Sequence, residues 1–167
     1  MKKKLLTLVA PMLVSALALA FTACGKPKPS GPAAAVVAAA DIPAFPAFSI
    51  TVNGAAVTDA VLSRCTMYSA TAKSVNSKGT ESEHAYVGFA FKDVLSAAGL
   101  TGSYTSLVAT ASDGYQVTLT GYIIYDNSTL LAVTKDGAAF VALPWLAPCG
   151  DTVSGDYVQN VATIVVS

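Results

Sequence analysis

Apolar and polar positions alternate in short blocks along most of the chain, and turn residues separate the blocks. Phe48-Ser49-Ile50-Thr51-Val52 alternates with period two and predicts a strand. Asn53-Gly54 follows, a pair that tolerates positive φ and predicts a tight turn. Thr58 stands where it can cap a short helix over 59–63. Strand character returns over 66–75, and the polar stretch from Lys78 to His84 reads as a loop. The strongest helix signal covers 90–98, where Phe91, Val94, Leu95 and Ala98 form one apolar stripe. Gly99 supplies a left-handed stop and Leu100 a closing contact. Leu107, Ala109 and Ala111 alternate before Asp113-Gly114, and Tyr115, Val117 and Leu119 alternate after it, which predicts a β-hairpin. Residues 122–125 are a short apolar run. A strand over 130–133 is expected to turn at Asp136-Gly137 and pair with 140–143, and 158–166 reads as a β-branched terminal strand. Short strands with two short helices predict an α+β fold, mostly β, with mixed sheets.

The start of the chain follows a different pattern. Lys2, Lys3 and Lys4 precede an apolar run from Leu5 to Phe21, and Thr22, Ala23 and Cys24 follow. A basic start, an apolar stretch and small residues are the layout of a secretory signal. The apolar run is short for a 30 Å span. With Cys24 directly after a small residue, the segment resembles a bacterial lipoprotein signal. The resemblance implies that residues 1–23 are removed and that Cys24 becomes the lipidated first residue, held firmly because two acyl chains far exceed the marginal hold of one. Residues 24–40 are rich in Pro and Ala and read as a tether. The folded domain is expected over 41–167, long enough to bury a core. The expected location is the extracytoplasmic side of a bacterial membrane.

Composition narrows the function. The full chain carries 10 Lys+Arg and 10 Asp+Glu, is 12% charged and 53% hydrophobic. It is too apolar for a disordered chain and too weakly charged for a nucleic-acid binder. Loss of residues 1–23 takes away Lys2, Lys3 and Lys4, so 10 − 3 = 7 cationic side chains face 10 acidic ones. Such a surface has no reason to track phosphates or anionic lipid; the lipid, not the protein surface, is expected to hold the domain to the membrane. A single His, His84, and two Glu leave little for a metal cage. His84 has no orienting partner readable from the sequence, so no catalytic or metal-binding residue is assigned.

A second resemblance concerns the domain. Val87-Gly88-Phe89-Ala90-Phe91-Lys92-Asp93-Val94-Leu95-Ser96-Ala97-Ala98-Gly99-Leu100 is similar to a segment of the molybdopterin-binding oxidoreductase domain, the sulfite oxidase fold. Ser112-Asp113-Gly114-Tyr115 resembles that family's "DGY" hairpin. Leu130-Leu131-Ala132 with Lys135-Asp136-Gly137, and Tyr157-Val158-Gln159-Asn160-Val161 with Ile164-Val165-Val166, resemble two later stretches. Ile50-Thr51-Val52-Asn53-Gly54 fits the family's opening strand and turn. The match runs from Ser49 to Val166. It implies the fold and, in the family, a molybdenum held by a Cys thiolate. The matching stretch here, Thr71-Ala72-Lys73-Ser74-Val75-Asn76, has no Cys. The family's His and Arg after the Gly137-like turn are replaced by Ala138-Ala139-Phe140-Val141-Ala142-Leu143-Pro144-Trp145. A soft thiolate and cationic donors are what such a cofactor needs.

The expectation is therefore a non-catalytic binding or accessory module, membrane-anchored, with no cofactor. The alternative is an active molybdopterin-dependent oxidoreductase with an atypical metal ligand. Cys65 and Cys149 are expected to form a disulfide in an oxidising compartment. The other readings leave them as free thiols, or make Cys65, beside Arg64, a displaced metal ligand. Tyr115, Tyr122, Tyr125, Tyr157 and Trp145 are candidates to line a cleft for a small ligand or a protein partner.

Overall fold

The computed structural model describes residues 34–38 and 41–167. The signal segment, Cys24 and most of the tether lie outside the described residues. The fold class expected from the sequence is found: α+β, mostly strand, with two mixed or antiparallel sheets and two short α-helices.

The first sheet has six strands. Strand β1 (Ala35–Val36) pairs with β4 (Met67–Val75), β4 with β5 (Glu81–Ala90), β5 with β8 (Thr129–Lys135), and β8 with both β9 (Ala138–Ala139) and β10 (Trp145–Pro148). The second sheet orders β3 (Ala55–Thr58), β2 (Ser49–Val52), β11 (Val161–Val166), β6 (Ser106–Ala111) and β7 (Gln116–Thr120). Within it β11 runs parallel to β2 and antiparallel to β6. Helices α1 (Asp59–Leu62) and α2 (Phe91–Ala97) contribute Leu62, Phe91, Val94 and Leu95 to the main core. That core is built from one face of each sheet, with Ile50, Leu107 and Ile164 from the second meeting Phe89, Leu131 and Leu146 from the first.

Local signals act as expected where they are strong. Thr58 caps α1, its hydroxyl accepting the Val61 N–H at 3.2 Å. Gly99 sits at φ 77° and the Leu100 N–H donates to the Leu95 carbonyl at 2.9 Å. The Asp113-Gly114 hairpin joins β6 and β7, with Asp113 Oδ1 accepting the Tyr115 N–H at 3.0 Å. The apolar run 122–125 forms a 3-10 turn within Gly121–Tyr125.

Two expectations change. Residues 81–84 are strand, not loop: β5 begins at Glu81 and pairs with β4 along its whole length, Lys73 opposite Glu83 and Ala72 opposite His84. Polar side chains there hid a ladder that the backbone forms regardless of them. The partner of 130–133 is also different. After the turn at Asp136-Gly137 only Ala138–Ala139 pairs with β8, and the chain then leaves the sheet over 141–144 and returns as β10, where Trp145 lies opposite Ala132.

Candidate functional site

The chemistry-bearing side chains gather on the face of the first sheet turned away from the main core. A second cluster occupies it: Ala70, Ala72, Tyr86, Leu130, Ala132, Ala147 and Cys149, with Ala34, Tyr68, Phe140, Trp145 and Tyr157 packed against them. The floor is small because backbones approach closely. A Cβ on Gly88 would lie 2.2 Å from the Leu131 carbonyl oxygen and 2.5 Å from Ala132 Cα.

A bulge sets the rest. Val87 pairs with Thr134 and Gly88 with Ala132, so Val133 is the extra residue. Without it, Lys135 would point to the opposite side, because side chains alternate along a strand. With it, Lys135 lies opposite Tyr86, and its Nζ sits 6.0 Å from the Tyr86 ring and 5.6 Å from the Trp145 ring. Phe140 stacks on Trp145 at 4.5 Å with planes 6° apart, and Tyr157 lies 5.7 Å from Tyr86. A ladder of rings with one cation in it thus crosses the face, each contact of the cation–π or ring-pair type.

The turn after β8 holds the other polar group. Asp136 adopts φ 52° and Gly137 φ 79°. The Asp136 carboxylate accepts the Ala85 N–H at 2.9 Å and the His84 Nδ1–H at 2.8 Å, and its own N–H donates to the Ala85 carbonyl at 2.7 Å. The Ala85 N–H and then His84 hold this carboxyl below the ordinary Asp range. His84 therefore has the orienting partner that the sequence did not reveal. Asp136 reads there only as a turn residue, and the two positions are 52 apart. The bond through Nδ1 leaves Nε2 as the free ring nitrogen. His84 also lies edge-on to Tyr86 at 6.4 Å.

Cys65 and Cys149 are free thiols, so the expected disulfide is not formed. Cys65 packs against the main core and Cys149 within the second cluster, and spacing along the chain carried no information about that separation. Burial pushes the Cys149 thiol up to about 12, and burial followed by the Asp93 charge raises Cys65. Both are therefore poor thiolates at neutral pH. Burial likewise raises Tyr86 to about 12 and raises Tyr157.

The remaining candidates scatter. Ser74 and Ser82 share a hydrogen bond at 3.1 Å across the β4–β5 hairpin. Arg64 and Cys65 line an open cleft between α1 and α2 with Val61, Asp93 and Ser96. Of the aromatic candidates, Tyr157 and Trp145 reach the ladder. Tyr115 instead donates to the Gly155 carbonyl at 2.9 Å, and Tyr122 and Tyr125 sit on the 3-10 turn. Asp156 is raised by burial and by its neighbour Asp151. Among the described residues no group of three or more His, Cys, Asp or Glu is placed to hold a metal ion. No helix among them is long and apolar enough to cross a membrane.

Compared with models of known families and with curated proteins, the chain matches none.

The donors also bear on the cofactor that the sequence resemblance implies. The stretch 71–76 offers one buried hydroxyl, Ser74, already bonded to Ser82. Neither Cys65 nor Cys149 belongs to that stretch. The segment after Gly137 carries no cation to grip a pyrophosphate. The residues present do not fit a molybdenum-pterin group, and no chemical step is derived through one.

Proposed function

We propose that this chain is a lipid-anchored extracytoplasmic lipoprotein whose domain, of the sulfite oxidase type, serves as a non-catalytic binding or accessory module. The observation that carries the reading is the placement of the two domain thiols. Cys149 is enclosed in the second cluster and Cys65 packs apart from it against the main core, so no thiol stands on the stretch 71–76 where the resemblance would put a ligand. The His84–Asp136 pair adds support. Its imidazole is bonded to Asp136 and lies edge-on to Tyr86, and among the described residues no Ser, Thr or Cys side chain is hydrogen-bonded to it. What the face does offer is contact area: half-buried rings set around one cation. In this reading Cys24 is the anchor, 24–40 the tether, and the ladder face the contact surface.

The test is mass spectrometry of the chain produced with its own leader, together with metal and pterin analysis. The expected result is a mature chain starting at a diacylated Cys24, with Cys65 and Cys149 both alkylated after unfolding without reductant. Stoichiometric molybdenum and pterin would overturn the non-catalytic reading and favour the oxidoreductase.

A further inference from the structure

We propose that the tip of the loop 140–144, Val141 and Ala142, inserts into the membrane interface and is a second, protein-borne attachment to the bilayer. The inference rests on the lipid-anchor reading above and departs from the expectation that the protein surface plays no part in holding the domain to the membrane. Three observations carry it.

The first is composition. Ala138-Ala139-Phe140-Val141-Ala142-Leu143-Pro144 has no charged side chain and no side chain that can hydrogen-bond. The chain leaves the ladder there and projects Val141, 98% exposed, with exposed Ala142 beside it, while Phe140 packs on the second cluster, Leu143 packs on the main core and Pro144 is buried. A lone exposed Val is ordinary, but an excursion made only of apolar residues is not what water selects for a loop.

The second is that the loop is held at its base. Phe140 stacks on Trp145, the Phe140 N–H donates to the Val133 carbonyl at 3.0 Å, and the Pro144 carbonyl accepts the Val161 N–H at 2.8 Å. Lys135 lies against Trp145 on the same face. An apolar tip above an aromatic ring and a cation is the order met across an interface, acyl boundary first and headgroups next.

The third is position. Ala34, at the start of the described residues, packs on the same cluster as Phe140 and Trp145. Beside it Val36, 67% exposed, lies opposite Tyr68, whose ring joins that cluster. Nine residues lie between Cys24 and Ala34, ten Cα steps, a reach of at most about 33–36 Å. A lipid on Cys24 therefore tethers the domain within that distance of the bilayer by the edge where Ala34 enters the second cluster. Insertion is driven by apolar burial, so a net negative surface does not oppose it and anionic lipid is not required.

The test places a tryptophan at the tip. The mature chain carrying Val141→Trp with Trp145→Phe is reconstituted on phosphatidylcholine vesicles, with and without bromine on the acyl chains. Trp145 is the single Trp of the chain, so its replacement leaves one reporter. The expected result is a blue-shifted emission, quenched roughly twofold or more by brominated lipid and unchanged by high salt. Val165→Trp in the same background, on the second sheet, is expected to stay unquenched. An unquenched residue 141 on vesicle-bound protein, or equal quenching at 141 and 165, overturns the inference. The mass of the mature chain reports Cys24 acylation separately. An unacylated chain with a quenched tip would sink the anchor reading alone; an acylated chain with an unquenched tip would sink the loop alone.

Discussion

The two sheets use their faces differently. In the second sheet β7 reads exposed and buried in strict turn, with Val117 and Leu119 inward and Gln116, Thr118 and Thr120 outward. In the first sheet β8 is buried at every position from Thr129 to Thr134. One sheet has a core side and a water side; the other has a core on one side and a ring-covered cluster on the other. A sheet covered on both faces must have small residues where backbones and rings crowd it. It also places Lys135 and Asp136 at the end of β8, just past the bulge, with His84 on the neighbouring strand β5. The proposed contact surface thus belongs to the sheet that is harder to build.

Glycine substitution breaks this comparison most sharply. Gly88→Ala puts a Cβ 2.2 Å from a backbone oxygen that cannot swing away, and is expected to cost more than about 3 kcal/mol or to abolish soluble expression. Gly114→Ala in the β6–β7 turn meets no atom within 4 Å but must hold φ 88°, and is expected to cost about 1 kcal/mol. Urea denaturation of both variants checks the ranking, and equal costs would contradict it.

The next effect has the opposite sign. Thr134 Oγ1 is fully buried in the first sheet without a hydrogen-bond partner. Thr134→Val keeps the shape and removes the unpaired hydroxyl, so stability is expected to rise by up to about 1 kcal/mol. The same exchange at exposed Thr118 is expected to change stability by less than about 0.5 kcal/mol. Thermal melts of the pair give the answer.

The smallest effect is a pH dependence. The Asp136 pKa is depressed in the folded state, so the carboxylate stabilises the fold above the unfolded Asp value of about 3.9 and loses that contribution as pH falls through the folded one. Asp136→Asn is expected to lie slightly below the parent near neutrality and to converge with it in acid, read from denaturation midpoints across pH. Parallel curves would mean that the bonds to His84 and Ala85 do not favour the charged form.

The legibility of the chain follows the same division. Alternation announced β6, β7 and β2, because a strand with one wet face writes its orientation into every second residue. The α2 stripe and the Gly99 stop were readable for the same reason. In the first sheet, β5 was half hidden, because Glu81-Ser82-Glu83-His84 is polar at the free end of a hairpin where nothing demands apolar residues. The bulge at Val133 leaves no mark in composition, so neither the seat of Lys135 nor the His84–Asp136 bond could be inferred. Cys65 and Cys149 illustrate the same limit: two residue types that could pair say nothing of which cluster each one enters.

The edge of the first sheet has a consequence for molecules confined to a surface. Among the described residues β1 meets only Tyr68 and Ser69 of β4, and farther along that outer strand Lys73 stands 78% exposed with Glu83 beside it. Neighbours held in two dimensions collide far more often than in solution, and an unmatched strand invites them to zip together. A charged side chain on such a rim discourages that union, so on a chain anchored as proposed Lys73 would guard against clumping where crowding is greatest.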